Sequence, residues 1–164
     1  MGVIKKVAKC IFDNIVVVLI SIGIGLLVRN YVFGLAHVDG VSMAPTFHNT
    51  QLVLIDKISP IFTDYKYGDI VVFDSHDEQN NKYVKRVIAL PNDHIVIKND
   101  KVYVNDKQIV ENYLVEGTPT EGKIDLVVPK NQYFVLGDNR MNSKDSRFIG
   151  PIEREDMTGR VANH

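Results

Sequence analysis

An apolar stretch near the start of the chain, Ile15 to Val28, is interrupted by a polar residue only at Ser21 and must be hidden from water wherever it sits. Lys5, Lys6 and Lys9 precede it, and Arg29 and Asn30 follow. Its fourteen residues rise about 21 Å as a helix, against a hydrocarbon core of about 30 Å. Extending to Phe33 gives about 19 residues if Arg29 snorkels to the outer interface, with Tyr31 and Phe33 as aromatic anchors. Three lysines against the single Asp13 then predict a cytoplasmic N-terminus and an external body. A cleaved leader ending at Gly34-Leu35-Ala36 and a buried core helix are the competing readings, and periodicity does not separate the three. The organisation expected is residues 1–33 as cytoplasmic terminus and single-pass anchor, and residues 34–164 as one extracytoplasmic domain.

From Gln51 onward the apolar segments become short, β-branched and divided by turn residues, which is a strand pattern. Gln51 to Ile55, Ile70 to Phe73, Tyr83 to Ala89, His94 to Ile97, Lys101 to Val104 and Tyr133 to Leu136 are the expected strands. Asn99-Asp100 and Asn105-Asp106 supply residues that tolerate a left-handed backbone, and so predict hairpin turns. Glu116 to Lys123, with Gly117, Pro119 and Gly122, has no periodicity and reads as a surface loop. The fold class expected is mainly β: an N-terminal transmembrane helix followed by an antiparallel β body. With 45% hydrophobic residues the body can bury a core, and a net charge of -1 gives no pull toward nucleic acid. The only cysteine, Cys10, excludes an intrachain disulfide.

Three segments carry chemistry-bearing residues. Ser42 lies between Gly40 and Pro45, which restrict the backbone on either side; taken alone it reads as an ordinary turn residue. A serine hydroxyl needs a base. His37 and His48 bracket Ser42 in sequence, while His76 beside Asp74, Asp77 and Glu78 matches no metal-ligand spacing, and no metal is expected. Lys85 and Arg86 are adjacent within the apolar Tyr83 to Leu90, so they point to opposite sides of a strand. Burial would strip the lysine of solvation and leave a neutral amine able to act as base; the alternative is an edge lysine that snorkels to solvent. Gly137 to Arg147 is dense in aspartates, arginines and serines, the material either of a rigid ion-pair network or of a solvated loop.

Together these segments resemble the type I signal peptidases, the Ser/Lys peptidases that release signal peptides from exported preproteins. Ser42 to Thr46 is similar to the family's nucleophile box, Tyr67 to Phe73 to its second, Lys85 to Asp93 to its lysine box and Gly137 to Arg147 to its last. The short interval between Lys85 and Gly137 resembles the compact Gram-positive-like members. The resemblance implies Ser42 as nucleophile, Lys85 as general base, Ser143 as the residue that orients the amine, and Asp145, Arg147 and Arg86 as the brace. It places Gly40 and Met43 at the oxyanion and substrate side, and Ala36, Val38, Tyr83 and Val84 around shallow pockets for small side chains. Gly40 stands where some relatives carry a serine, while Ala89 and Asn92 stand where glycines are usual; Asn92 is expected to take a positive φ. The family's continuation after Val161 predicts a missing or short closing strand. No cofactor is implied; the partners implied are secretory preproteins and the lipid bilayer. A non-catalytic assembly factor on the same fold is the alternative. A self-cleaving repressor would carry a DNA-binding helix-turn-helix where the apolar stretch stands.

Overall fold

The computed structural model describes residues 12, 14–26, 32–76, 78 and 81–162. Residues 14–26 form a helix, α1, whose large apolar side chains, Ile15, Val17, Leu19 and Ile22 among them, are exposed. No helix among the described residues is long and apolar enough to cross a membrane. The three lysines, Cys10, Asp13, Arg29 and Tyr31, on which the expected topology rests, lie outside the described residues.

The body is antiparallel β, as the alternation and turn residues predict. A seven-stranded sheet has the order β1-β2-β11-β3-β4-β9-β10 and a four-stranded sheet the order β7-β6-β5-β8. The strands are β1 Phe33–His37, β2 Leu52–Asp56, β3 Ile70–Asp74, β4 Lys82–Ala89, β5 His94–Lys98, β6 Lys101–Val104, β7 Lys107–Gln108, β8 Ile124–Val127, β9 Gln132–Leu136, β10 Ile152–Glu153 and β11 Met157–Val161. Two one-turn helices, α2 Ser59–Phe62 and α3 Ser146–Ile149, interrupt them. All six expected strands occur, within a residue at each end. The hairpin turns also occur: Asn99 and Asp100 have φ of 49° and 61°, Asn105 and Asp106 of 50° and 65°, and Asn92 of 69°.

Strands β7, β8, β10 and β11 were not foreseen, and β1 was implied only by the resemblance, which puts Ala36 and Val38 on a strand before the serine. β1 opens the body at Phe33, a position the expected anchor would occupy. β11, the last strand described, pairs with both β2 and β3 and so lies inside the large sheet; the continuation expected after Val161 lies beyond it. Its glycine is needed there: a Cβ on Gly159 would stand 2.6 Å from Ile55 Cγ2 and 2.7 Å from the Asp56 carbonyl. The core lies in three clusters. One, around Ile95, Ile97, Phe134 and Leu136, joins the small sheet to β4 and β9. A second holds Val38, Met43, Phe47, Val53, Ile70 and Val72, and a third Val71, Phe73, Val87, Tyr133 and Val135. β4 contributes to all three through Val84, Val87 and Ile88, so its course is fixed by packing on both faces.

Candidate active site

The loop from β1 to β2 is closed at its base by Val38 N–H donating to the Gln51 carbonyl and Thr50 N–H to the Val38 carbonyl. Met43 and Phe47 drop fully buried side chains into the second cluster and nail the loop down from within. Met43 is therefore an anchor rather than part of the substrate face where it was expected, because an apolar side chain next to Val53 gains more from burial than from exposure. Ala36 likewise packs against that cluster. From above, Asn139 holds the loop twice: its N–H donates to the Ser42 carbonyl at 3.0 Å and its side-chain amide to the Val41 carbonyl at 3.1 Å.

Lys85 of β4 reaches the loop from the sheet. Its Nζ lies 2.9 Å from Ser42 Oγ and donates to the Val84 carbonyl at 2.9 Å. Only 3% of the residue is exposed, and the Tyr83 ring centroid lies 5.2 Å from the amine. Burial brings the lysine pKa down to about 8, against a weaker opposing pull from Asp145 and Asp138. His37 turns away to the Thr50 carbonyl at 3.2 Å, so lysine and not histidine stands on the serine. His76 pairs with Asp156 at 2.7 Å, and no group of three metal-ligating side chains occurs among the described residues.

Arg86 points the other way and pairs with Asp138 through two bonds, Nε to Oδ1 at 2.9 Å and Nη2 to Oδ2 at 2.7 Å. Thr46 O–H donates to the same carboxylate at 2.5 Å, tying the far end of the serine loop to the pair. Asp138 was not singled out in the sequence; Asp145 was, but it serves a different arginine. Asp145, fully buried, accepts from Gly137 N–H at 3.0 Å and from Arg147 Nε and Nη2 at 2.8 and 2.9 Å.

Ser143 Oγ is buried with no hydrogen-bond partner among the described residues, so the second partner of the Lys85 amine is the Val84 carbonyl rather than the serine that the resemblance assigns. Gly137 makes room for this arrangement. A Cβ there would stand 2.2 Å from Ser143 Oγ and 2.6 Å from the Ser42 carbonyl. Gly40 N–H is taken by Asn49 Oδ1 at 2.8 Å, and no acceptor among the described residues engages Ser42 N–H. A cavity of about 210 Å³ opens over Ser42 and Lys85, lined by Val38, Tyr83 and Val84 of the expected set, by His37, which brackets Ser42 in sequence, and by Asp39, Lys82 and Lys144, which were not foreseen. A larger and more apolar cavity of about 520 Å³, between Tyr67, Val87, Val110 and Tyr113, contains no nucleophile.

The sequence pattern of the family described as "Signal peptidase, peptidase S26" matches residues 11–163. The chain belongs to this family. It is 39% identical to Signal peptidase I P of Bacillus subtilis subsp. natto, over 94% of this chain and 89% of that protein. It is 38% identical to Signal peptidase I S of Bacillus subtilis (strain 168), over 92% of this chain and 86% of that protein. Its fold is similar to the crystal structure of a signal peptidase I from Enterococcus faecalis V583, with a TM-score of 0.53 and 27% identity, covering 61% of this chain and 98% of that one. Membership of the peptidase S26 family makes the chain a peptidase, a hydrolase of peptide bonds.

Proposed function

We propose that this S26 peptidase removes N-terminal signal peptides from exported preproteins through a Ser42/Lys85 dyad. The observation that carries the reading is the buried Lys85 amine 2.9 Å from Ser42 Oγ, with its pKa brought down to about 8. Neutral, the amine accepts the Ser42 proton as Oγ attacks the scissile carbonyl. The tetrahedral oxyanion receives Ser42 N–H; Gly40, engaged by Asn49 and without a side chain, adds no second donor as it stands. The ammonium then returns its proton to the departing amine, leaving an acyl ester on Ser42, and water activated by the same lysine releases the leader's new C-terminus.

The small cavity between Val38, Tyr83 and Val84 supports a preference for small side chains before the cut. Membrane attachment is supported by α1, whose apolar side chains are exposed, and by the edge strand β1, where Phe33 and Leu35 are exposed next to it. Exposed Val41, Met141 and Phe148 surround the nucleophile segment and the last box, and would seat the site where apolar leaders emerge from a bilayer. The localisation that follows is a cell membrane, with the N-terminus cytoplasmic and the β body outside. The test is cleavage of a purified preprotein by the wild type, Ser42→Ala and Lys85→Ala, each checked for folding by circular dichroism. The reading expects cleavage by the wild type only; product from a folded Ser42→Ala enzyme overturns it.

A further inference from the structure

Residues 109–121, between β7 and β8, have no regular structure, yet they supply a partner to each of the three arginines around the site. The Tyr113 ring lies 4.0 Å from the Arg86 guanidinium carbon. Glu111 and the Thr120 hydroxyl both bind the guanidinium of Arg140, whose side chain is fully buried. The Glu121 carbonyl accepts from Arg147 at 3.2 Å. Tyr113 O–H closes the group by donating to Glu111 at 2.8 Å, and Thr120 is itself 1% exposed. The half of this segment read as a surface loop is thus partly a strap across the brace.

The far ends of these contacts lie on the nucleophile's support. Arg140 Nε donates to the Gly137 carbonyl at 3.0 Å, Arg86 grips Asp138, and Asp145, held by Arg147, accepts the Gly137 N–H. The next residue, Asn139, holds the Val41 and Ser42 carbonyls. A buried guanidinium is tolerated only with its donors satisfied, so Arg140 stays in place only while Glu111 and Thr120 meet it. We infer that the 109–121 strap is a positioning element for catalysis, with Tyr113 and Glu111 as positioning residues that act through Arg86 and Arg140 on the Gly137–Asn139 turn and so on Ser42. The inference rests on the peptidase reading of the same site. Tyr113 fixes Arg86 by its ring face, a contact the hydroxyl does not make, whereas Glu111 fixes Arg140 by charge.

The experiment uses the full chain in detergent, a preprotein substrate, and titration of the reactive serine with an acylating inhibitor, so that kcat is expressed per competent serine. Tyr113→Leu and Glu111→Gln are each expected to lower kcat per titrated site about 10- to 100-fold, with KM within about twofold, since supporting residues act on geometry and not on substrate contact. Tyr113→Phe, which keeps the ring over Arg86, is expected to recover most of kcat. If Tyr113→Leu fails to fold, Glu111→Gln carries the test. An unchanged kcat per titrated site in Glu111→Gln or in a folded Tyr113→Leu overturns the strap, whereas a Tyr113→Phe as slow as Tyr113→Leu supports it through the hydroxyl, which bonds Glu111 and Arg140. A wild type that does not cleave preprotein overturns the peptidase reading instead, and the two failures are thereby told apart.

Discussion

Two buried cations stand side by side on β4 and face opposite ways. Arg86 meets a carboxylate through two hydrogen bonds and leans on an aromatic ring, whereas Lys85 meets a hydroxyl and a carbonyl and no carboxylate within ion-pair distance among the described residues. Both are nearly closed to solvent, at 7% and 3% exposure. A guanidinium keeps its charge in a protein, so its burial demands a counter-charge, and Asp138 supplies it. An amine can escape the same penalty by losing its proton. Burial with a partner therefore makes a brace, and burial without one makes a base.

The comparison breaks most sharply if the lysine side is given the arginine's chemistry. Lys85→Arg keeps a cation near Ser42 that cannot take a proton, and kcat is expected to fall about 10²- to 10⁴-fold, the usual worth of a positioned general base. Single-turnover cleavage of a preprotein measures it, and a loss under about tenfold would contradict the role of the neutral amine. The converse change removes the carboxylate on the other face. Asp138→Ala leaves Arg86 buried and unpaired and is expected to cost about 3 to 5 kcal/mol of stability, read from the shift of the denaturant midpoint. An unchanged midpoint would mean that water or a rearranged side chain replaces Asp138.

How far these roles were legible in the sequence differs from one residue to the next. The strands with alternating β-branched residues and Asn-Asp turns were readable because the information is local: Asn99, Asp100, Asn105 and Asp106 carry their turns wherever the chain goes. β1 was hidden because Gly34 and Ala36 carry no strand preference and its exposed positions include Phe33 and Leu35, so it merges into the apolar stretch before it. β11 was hidden because its partners, β2 and β3, lie far back along the chain and Gly159 breaks its pattern. In the site, the pairing of Ser42 with Lys85 needed the resemblance, since no spacing rule brings those segments together. Which aspartate meets which arginine is a matter of side-chain direction, and so Asp138, Thr46 and Asn139 received no role while Asp145, Arg147 and Arg86 were grouped without their pairing. The strap residues Glu111 and Tyr113 carried no signal at all, being polar and aromatic residues in a segment without period.

A gentler probe leaves the sequence intact and varies pH. With the lysine pKa at about 8, the neutral fraction rises about tenfold per pH unit below that value, so kcat/KM is expected to climb with that slope and level off above it. A profile flat from pH 6 to pH 9 would place the working proton elsewhere. Ser42→Asp sharpens the same point by setting a carboxylate beside the amine, which then resembles Arg86 in its surroundings. The Lys85 titration followed by NMR is expected to move up from about 8 toward the ordinary lysine value, and a lower midpoint would show that burial outweighs the new charge.

The smallest effect is in stability, and its sign follows from proton binding. Between about pH 8 and the ordinary lysine value of 10.5 the unfolded chain holds a proton on Lys85 that the folded chain lacks, so this residue makes stability rise with pH across that window. Below about pH 8 both forms are protonated and the full penalty applies, about 3 kcal/mol from the size of the shift. Lys85→Met removes the penalty while filling similar space. It is expected to unfold at a higher denaturant midpoint than the wild type at pH 7, by an amount that shrinks as pH rises toward 10.5. A methionine variant less stable than the wild type at pH 7 would mean that the contacts of the amine with Ser42 and Val84 outweigh its desolvation, and the lysine would then be held in place by those contacts rather than strained by burial.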